Sequence, residues 1–310
     1  MDNGRSAIKI ASVAMDSMHR IGIDLGGTKT EVALLSPDGA VLKRDRRPTP
    51  AVQGYEAILD TVTDLVAETV SSLKEDYTIG IGIPGIVDAR TELVLNANTT
   101  IMIGHPLRKD LEARLKRQIR VQNDANCFAL AEAQQGAGRK YGMIFGVIMG
   151  TGCGGGIVID KKLHGGLHGI AGEWGHVSID PNGPQCWCGN RGCIETFISG
   201  GGLQKRFESM YGERKTVEQI VASARSGAAP DQEFFDRFLE DFGRALGGLI
   251  SILDPDAIIL GGGLSNLVEL YEEGRKRTLK YTFHKNAATP ILRNELGDSA
   301  GVFGAAHLWS

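Results

Sequence analysis

The stretch "HVSIDPNGPQCWCGNRGCIE", from His176 to Glu195, holds three of the chain's five cysteines within eight residues. Its histidine stands ten positions before the first of them, and its last glutamate follows the third by two. Cys186, Cys188 and Cys193 with His176 have the make-up of a Cys₃His set, the closed four-ligand group of structural zinc. The C-x-C spacing is tighter than the usual C-x₂-C, so spacing alone leaves a metal clamp and a disulfide cluster both open. A disulfide between cysteines two apart would be strained. The opening stretch, "MDNGRSAIKIASVAMDSMHR", has a short apolar part broken by Lys9, Ser12 and Asp16, unlike a signal peptide. The expected compartment is therefore cytoplasmic and reducing, where stable disulfides are uncommon. Cys127 and Cys153 read as ordinary buried or turn residues.

A second set of groups is made of glycine. The 42 glycines concentrate in "DLGGTK", "GIGIPG", "MGTGCGGG", "LGGGLS" and "SGGG". Tight glycine turns beside apolar strands let a backbone approach phosphates closely. "DLGGTK" is neither the P-loop GxxxxGK[ST] nor GxGxxG. It still offers backbone N–H groups at Gly26, Gly27 and Thr28, and a point charge on Lys29. Asp24 can orient a magnesium ion, directly or through water. Gly150, Thr151, Gly152 and Gly154 offer the same from "MGTGCGGG", and Gly261, Gly262 and Gly263 form a third run after "AIIL". One such turn is a glycine hairpin; two in matched strand contexts and a third after a strand read as a nucleotide clamp.

These turns need strands behind them. "RIGIDLGGTKTEVALLSPDGAVLKRD" sets Ile21, Ile23 and Leu25 before the glycines, Val32 and Leu34 after them, and a Pro-Asp-Gly turn before Val41. That is strand, turn, strand, turn, strand. "YEAILDTVTDLVAETVSSLK" carries a helical stripe of Ile58, Leu59, Val62, Leu65, Val66, Val70 and Leu73. "TIGIGIPG" is a short buried strand ending in a Pro-Gly turn, and "PLRKDLEARLKR" is a helix with Pro106 at its first turn. "QIRVQNDANCFALAEA" is a strand running into a helix, with Asn123 and Asp124 at the junction. Asp124 there is either a helix N-cap or a functional carboxylate at the carboxyl end of a strand, where α/β proteins place ligands.

The opening unit then recurs in plan, about 125 residues later, as "IFGVIMGTGCGGGIVIDKKLHGG". Two copies predict two related α/β halves facing a cleft. The helix "EFFDRFLEDFGRALGGLISIL" leads to the strand of "DPDAIILGGGLSN", and "GDSAGVFGAAHLW" closes as a small-residue helix able to pack tightly on the first half. The expected organisation is a mobile extension over 1–18, a small α/β domain over 19–122 joined by 298–310, and a large α/β domain over 123–297. At 310 residues, 23% charged and 42% hydrophobic, the chain has the bulk for two soluble globular domains. A net charge of −3 gives no electrostatic reason to expect nucleic acid or an anionic membrane as partner. No apolar run approaches the roughly 20 residues of a membrane span.

The set "IGIDLGGTKTEVALL", "GIGIPG", "NDANCFALAEA", "MGTGCGGGIVID", "GEWGH", "CWCGNRGCIE" and "DPDAIILGGGLSN" resembles the ROK family of repressors and sugar kinases, in the family's order, from about Arg20 to the end. The cysteine box matches C-x-C-G-x-x-G-C-x-E at every fixed position. The resemblance implies an α/β, actin-like ATPase (ribonuclease H-like) fold, with ATP and a sugar in the cleft between two domains. It implies Asp124 as the base for the sugar hydroxyl, and Gly85, Asn98, Asn123, Glu173, His176 and Glu195 as sugar-binding groups. The hydroxyl donors of a sugar suit such carboxylates and amides. It implies the "DLGGTK", "MGTGCGGG" and "LGGGLS" turns as the nucleotide site, with Mg²⁺ on the nucleotide. It also decides the cysteine question in favour of structural Zn²⁺ on His176, Cys186, Cys188 and Cys193. With no open position the metal has no Lewis-acid role; it would fold its loop and set His176 and Glu195 against the sugar.

Family repressors carry a helix-turn-helix domain ahead of the "DLGGTK" strand; about twenty residues precede it here, so a sugar-responsive regulator is the disfavoured class. For the substrate, "NANTTIMIGHPLRKDL" and "CIETFISG" resemble the fructokinase/mannokinase branch. The N-acetylglucosamine kinase branch shares "NDANCFAL" and "GGGLSN", but a proline is expected there near Thr99 or Thr100. The expected order is fructose or mannose, then N-acetylglucosamine, then glucose. The resemblance further implies a homodimer or tetramer, and a few relatives use polyphosphate as donor.

Overall fold

The structure, a computed structural model, describes residues 17–88, 90–97 and 99–310. Residues 1–16 of the expected extension, and Asn98, lie outside them. The described chain divides into two compact units. One takes in the residues up to Gln135, Lys161–Ala171 and Asp298–Ser310; the other is Gly136–Asp160 and Gly172–Gly297.

The first unit opens with strands β1 (His19–Leu25), β2 (Lys29–Leu35) and β3 (Val41–Pro48), then helix α1 (Tyr55–Thr69) and strand β4 (Tyr77–Ile83). A small hairpin, β5 (Ile86–Val87) and β6 (Val94–Leu95), precedes helix α2 (Leu107–Leu115), strand β7 (Ile119–Asn123) and helix α3 (Asp124–Gln134). The sheet order is β3-β2-β1-β4-β7. β1, β2 and β3 pair antiparallel, while β4 and β7 run parallel to β1. Ile21, Ile23, Ile79 and Ile81 from the sheet, with Ile58, Leu59, Val62, Leu65 and Val66 from α1, form one continuous core. The helical stripe buries its predicted face, and Val70 and Leu73, beyond the helix end at Thr69, pack partly buried on the same core.

In the second unit β8 (Met143–Met149) and β9 (Cys153–Ile159) form an antiparallel hairpin. A short strand β10 (Lys162–Leu163) falls in the first unit's stretch. Four helices follow in the second unit: α4 (Ile194–Ile198), α5 (Gly200–Tyr211), α6 (Val217–Arg225) and α7 (Asp231–Leu253). Strand β11 (Ala257–Gly261), helix α8 (Glu273–Tyr281) and strand β12 (Ile291–Arg293) complete it. β11 lies parallel between β8 and β12. Phe234, Phe238, Phe242 and Leu246, at helical spacing on α7, meet Phe145 and Val147 of β8 in the unit's core.

Helix α9 (Ala300–Ala306) returns the chain to the first unit. It crosses two strand glycines that face each other in the β1–β4 register, Gly22 and Gly80. A Cβ on Gly22 would lie 1.9 Å from the carbonyl of Val302, and one on Gly80 1.9 Å from that of Ala305. Glycine inside these strands therefore serves close backbone approach. On the helix's other side Gly304 meets the backbone of Cys127 on α3. That packing keeps 123–135 with the first unit, whereas the sequence reading drew the boundary at 122.

Candidate functional site

In the first unit the parallel strands β1, β4 and β7 end on one edge. The registers set Asp24 beside Gly82 and Ile83 beside Asn123. Asp24, Gly85, Asn123 and Asp124 thus share the carboxyl end of the sheet, the ordinary ligand edge of α/β proteins. Asn123, not Asp124, is the N-cap of α3: its side-chain oxygen accepts from the Ala125 N–H at 2.9 Å, and its Nδ2 donates to the Gly85 carbonyl at 3.3 Å. Asp124 is the first helical residue, and its Oδ1 accepts from the same N–H at 2.8 Å. A carboxylate there sits at the positive end of the helix.

The β1–β2 turn carries Gly26, Gly27, Thr28 and Lys29, with Gly27 and Thr28 exposed. It is locked from a distance. The Thr49 hydroxyl donates to the Gly26 carbonyl at 2.7 Å, and the Thr49 N–H to the Thr28 carbonyl at 3.0 Å. Sequence reading missed Thr49, because only the β2–β3 pairing brings it back to the turn. Burial, and then the charge of Glu31, push the Asp24 carboxyl up to about 6. Glu31 is itself buried and bonded to Arg44 and Arg46.

A raised carboxyl has a definite sign in stability. The folded state holds the proton more tightly, so the contribution is fully present below about pH 4 and lost as pH rises through about 6. Asp24→Asn is expected to stabilise the ligand-free protein by about 1–3 kcal/mol at pH 7 and by little near pH 4. Thermal melts of parent and variant at the two pH values check it; an equal gap at both removes the burial argument. His307, which burial and then Arg20 hold down to about 4, runs the opposite way: its contribution is lost as pH falls from about 6.5 toward 4. The variant comparison, rather than the parent's own pH curve, therefore isolates Asp24.

The second unit brings two glycine runs together. The β8–β9 turn is Gly150, Thr151 and Gly152, closed by the Gly150 N–H on the Gly152 carbonyl at 3.0 Å. β11 ends beside it, with Gly261 in register with Ile148. Gly262 holds a φ of +77° against the Met149 carbonyl, and Gly263 follows exposed. The "SGGG" run starts α5, whose Gly200 and Gly201 N–H groups donate to the carbonyls of Gly150 and Thr151 at 2.8 and 3.1 Å. Gly154 lies inside β9, opposite Ile148, and its carbonyl accepts from Trp174 Nε1 at 3.1 Å.

The cysteine loop has little regular structure. Its first turn, Trp174–His176, is a short 3₁₀ helix. Backbone bonds from Ile179 to Gly192 and from Ile194 to Val177, both 2.9 Å, tie its ends. Gly192 has a φ of +66° and a Cβ there would lie 1.6 Å from the Asp180 carbonyl, so the box's second glycine is a steric requirement. His176, Cys186, Cys188 and Cys193 gather with all ligand atoms within 4.8 Å of one another. Cys188 Sγ is 3.6 Å from Cys193 Sγ, and Cys186 Sγ is 3.6 Å from His176 Nδ1. Tetrahedral zinc with its usual bond lengths requires about 3.8 Å between sulfurs and about 3.6 Å between sulfur and nitrogen. A disulfide requires about 2.0 Å, and all five cysteines are free thiols. The donor set and spacing fit zinc. Without metal, burial, with the neighbouring thiols, pushes the Cys193 thiol up to about 12, so ligation must displace a proton.

Burial raises the Glu173 carboxyl above the usual range, and Glu173 stands just before the 3₁₀ turn that carries His176, whose N–H donates to the Glu173 carbonyl at 3.2 Å. His176 turns Nδ1 to Cys186. Glu195, in the first turn of α4, is held at both oxygens: Oε2 accepts from the Cys153 N–H at 2.9 Å, and Oε1 from Trp187 Nε1 at 2.7 Å. Trp187 was not singled out by sequence reading, although its place between two metal-type cysteines was a signal. Cys127 and Cys153 are buried.

A family model described as the ROK family matches residues 20–310. An N-acetyl-D-glucosamine kinase of Haemophilus influenzae is 37% identical over 299 residues, covering 93% of this chain and 98% of that protein. A ROK hexokinase structure from Thermus thermophilus superposes with a TM-score of 0.86 at 28% identity, covering 94% of this chain and 98% of that one. A ROK family glucokinase from Streptomyces griseus, in complex with glucose and AMPPNP, gives 0.76 at 32% identity, with 94% and 98% covered. The fold is the actin-like ATPase fold. With the cysteine box, the glycine turns and the strand-end carboxylates in place, and a match running from Arg20 to the last residue, the chain belongs to the ROK family.

Proposed function

We propose that the protein is an ATP-dependent sugar kinase that transfers the γ-phosphoryl group to the 6-hydroxyl of a hexose, with N-acetyl-D-glucosamine as its first substrate. The observation that carries the substrate is the near full-length identity to an N-acetyl-D-glucosamine kinase. It reverses the order expected from the loop around Thr99, because similarity spread over 93% of the chain outweighs the look of one loop. Glucose and a nucleotide analogue in the Streptomyces griseus neighbour support sugar and ATP as the substrate pair.

In this reading Asp124 accepts the proton of the sugar hydroxyl as its oxygen bonds to the γ-phosphorus and the bond to the leaving ADP oxygen breaks. Gly85, Asn123, Glu173, His176 and Glu195 hold the remaining hydroxyls, with Asn98 beside them in the proposal. The turns at Gly26–Thr28, Gly150–Gly152 and Gly261–Gly263, with Lys29, supply donors to the nucleotide phosphates. Asp24 would hold magnesium, which neutralises charge on those phosphates. His176, Cys186, Cys188 and Cys193 would hold zinc, which gives the loop its fold.

The test is ADP release by the purified protein with ATP and magnesium, run in parallel on N-acetylglucosamine, fructose, mannose, glucose and N-acetylmannosamine. The expected result is the highest kcat/KM on N-acetylglucosamine. A preference for fructose or mannose would restore the first order, and silence on all five would sink the kinase reading.

A further inference from the structure

Resting on that reading, we infer that Trp187 is a positioning residue for sugar binding: its indole N–H holds the Glu195 carboxylate and its ring packs perpendicular to that of His176. The cysteine box leaves position 187 open, so nothing in the box requires an aromatic residue there. Trp187 is 64% exposed, so burial in a core is not what holds it. Two contacts account for it. Nε1 donates to Glu195 Oε1 at 2.7 Å, a short bond to a charged acceptor. The ring meets that of His176 edge-on, with centroids 4.9 Å apart and planes at 90°. One exposed side chain therefore touches two of the groups proposed to bind sugar.

The geometry gives the contact a purpose. An ionised carboxylate offers about four acceptor sites over two oxygens. The Cys153 N–H takes one on Oε2 and the Trp187 N–H one on Oε1, which leaves one on each oxygen for sugar hydroxyls. Held only at Oε2, the side chain would swing about that bond, and sugar binding would have to immobilise it. Ordering one flexible side chain at a binding site weakens affinity by about 3- to 10-fold. Cys153 begins β9 directly after the Gly150–Gly152 turn, and Trp187 sits between two metal-type cysteines, so Glu195 is anchored to both loops at once. His176 turns Nδ1 to Cys186, and the perpendicular indole ring fixes the plane in which its other nitrogen is presented.

The experiment compares parent, Trp187→Phe, Glu195→Ala and the double variant in steady-state kinetics at saturating ATP and magnesium, with metal content and Tm recorded. Phenylalanine keeps an aromatic ring beside His176 and removes the donor. Trp187→Phe should raise the sugar KM by about 3- to 10-fold, with kcat changed by less than twofold and the KM for ATP unchanged. The double variant should match Glu195→Ala, because without its acceptor the donor has nothing to position. In ¹⁵N-labelled protein, the indole resonance that disappears in Trp187→Phe should shift in Glu195→Ala. A parental sugar KM in Trp187→Phe overturns the inference, as does an undiminished effect in the Glu195→Ala background. Loss of bound metal or of the fold in Trp187→Phe overturns it too, by showing a structural role. A parent inactive on all five sugars fails the kinase reading and this inference with it. An active parent matched by Trp187→Phe fails this inference alone.

Discussion

Asp124→Asn will lose turnover by about 10²- to 10⁴-fold while keeping sugar affinity within a few-fold of the parent. Asparagine has the same shape and still accepts a hydrogen bond, so the contacts of the ground state persist. It cannot take a proton. The α3 N-terminus will survive the change, because Asn123 supplies the cap. What is lost structurally is the favourable charge at the helix's first position, about 0.3–1 kcal/mol. The variant should therefore fold, bind and fail to react, a pattern that separates a base from a cap. Measurement of kcat together with calorimetric titration of the sugar decides it. Residual kcat above a tenth of the parent's would remove Asp124 from the base role, and lost affinity with preserved kcat would make it a binding group instead.

The second large effect is expected at the cysteine loop. Cys188→Ser should take bound zinc from one equivalent per chain to almost none, and lower stability by ~3 kcal/mol or more, the range in which loss of a metal site falls. In a chain of 310 residues that is about 5 °C in Tm. Cys188 is the most exposed of the three box cysteines, so a serine there disturbs no core packing. The loop it closes relies on a few backbone bonds and two ring contacts, with little apolar surface of its own. Activity should fall with the metal, since His176 belongs to the ligand set and Glu195 follows the last cysteine by two residues. Metal analysis, thermal melts and turnover on one preparation test the three together. A metal-free variant that stays folded and active would sink the structural-zinc account.

The substrate order shows how far a local reading reaches. The loop around Thr99 and the segment after Cys193 pointed to fructose and mannose. Similarity over nearly the whole chain points to N-acetyl-D-glucosamine. A hexose pocket discriminates by the placement of a few hydroxyl-binding groups drawn from several segments, and a hydroxyl around which binding is not built shifts preference only modestly. A single loop therefore carries little of that information.

By itself the sequence determined what depends on neighbours along the chain. Alternating Ile21, Ile23 and Leu25 before two glycines specify a strand and a turn, and the same plan at Val147–Gly152 specifies its repeat. The stripe from Ile58 to Val66 specifies a helix face, and the fixed glycines of the cysteine box specify a turn that brings its thiols together. Tertiary structure decided whatever depends on residues far apart in sequence. It made Asn123 the cap and left Asp124 inside the helix, with the Asn123 side chain also held by the carbonyl of Gly85 in the turn between β4 and β5. It gave Gly22 and Gly80 their reason, since a Cβ on either would lie 1.9 Å from a carbonyl of a helix more than 200 residues away. It locked the first glycine turn with Thr49 and moved the unit boundary past α3. It also joined Trp187 to Glu195 across the box. The division is physical: turn chemistry and periodicity are local, whereas burial, steric exclusion and a donor's choice of acceptor exist only once the chain has closed on itself.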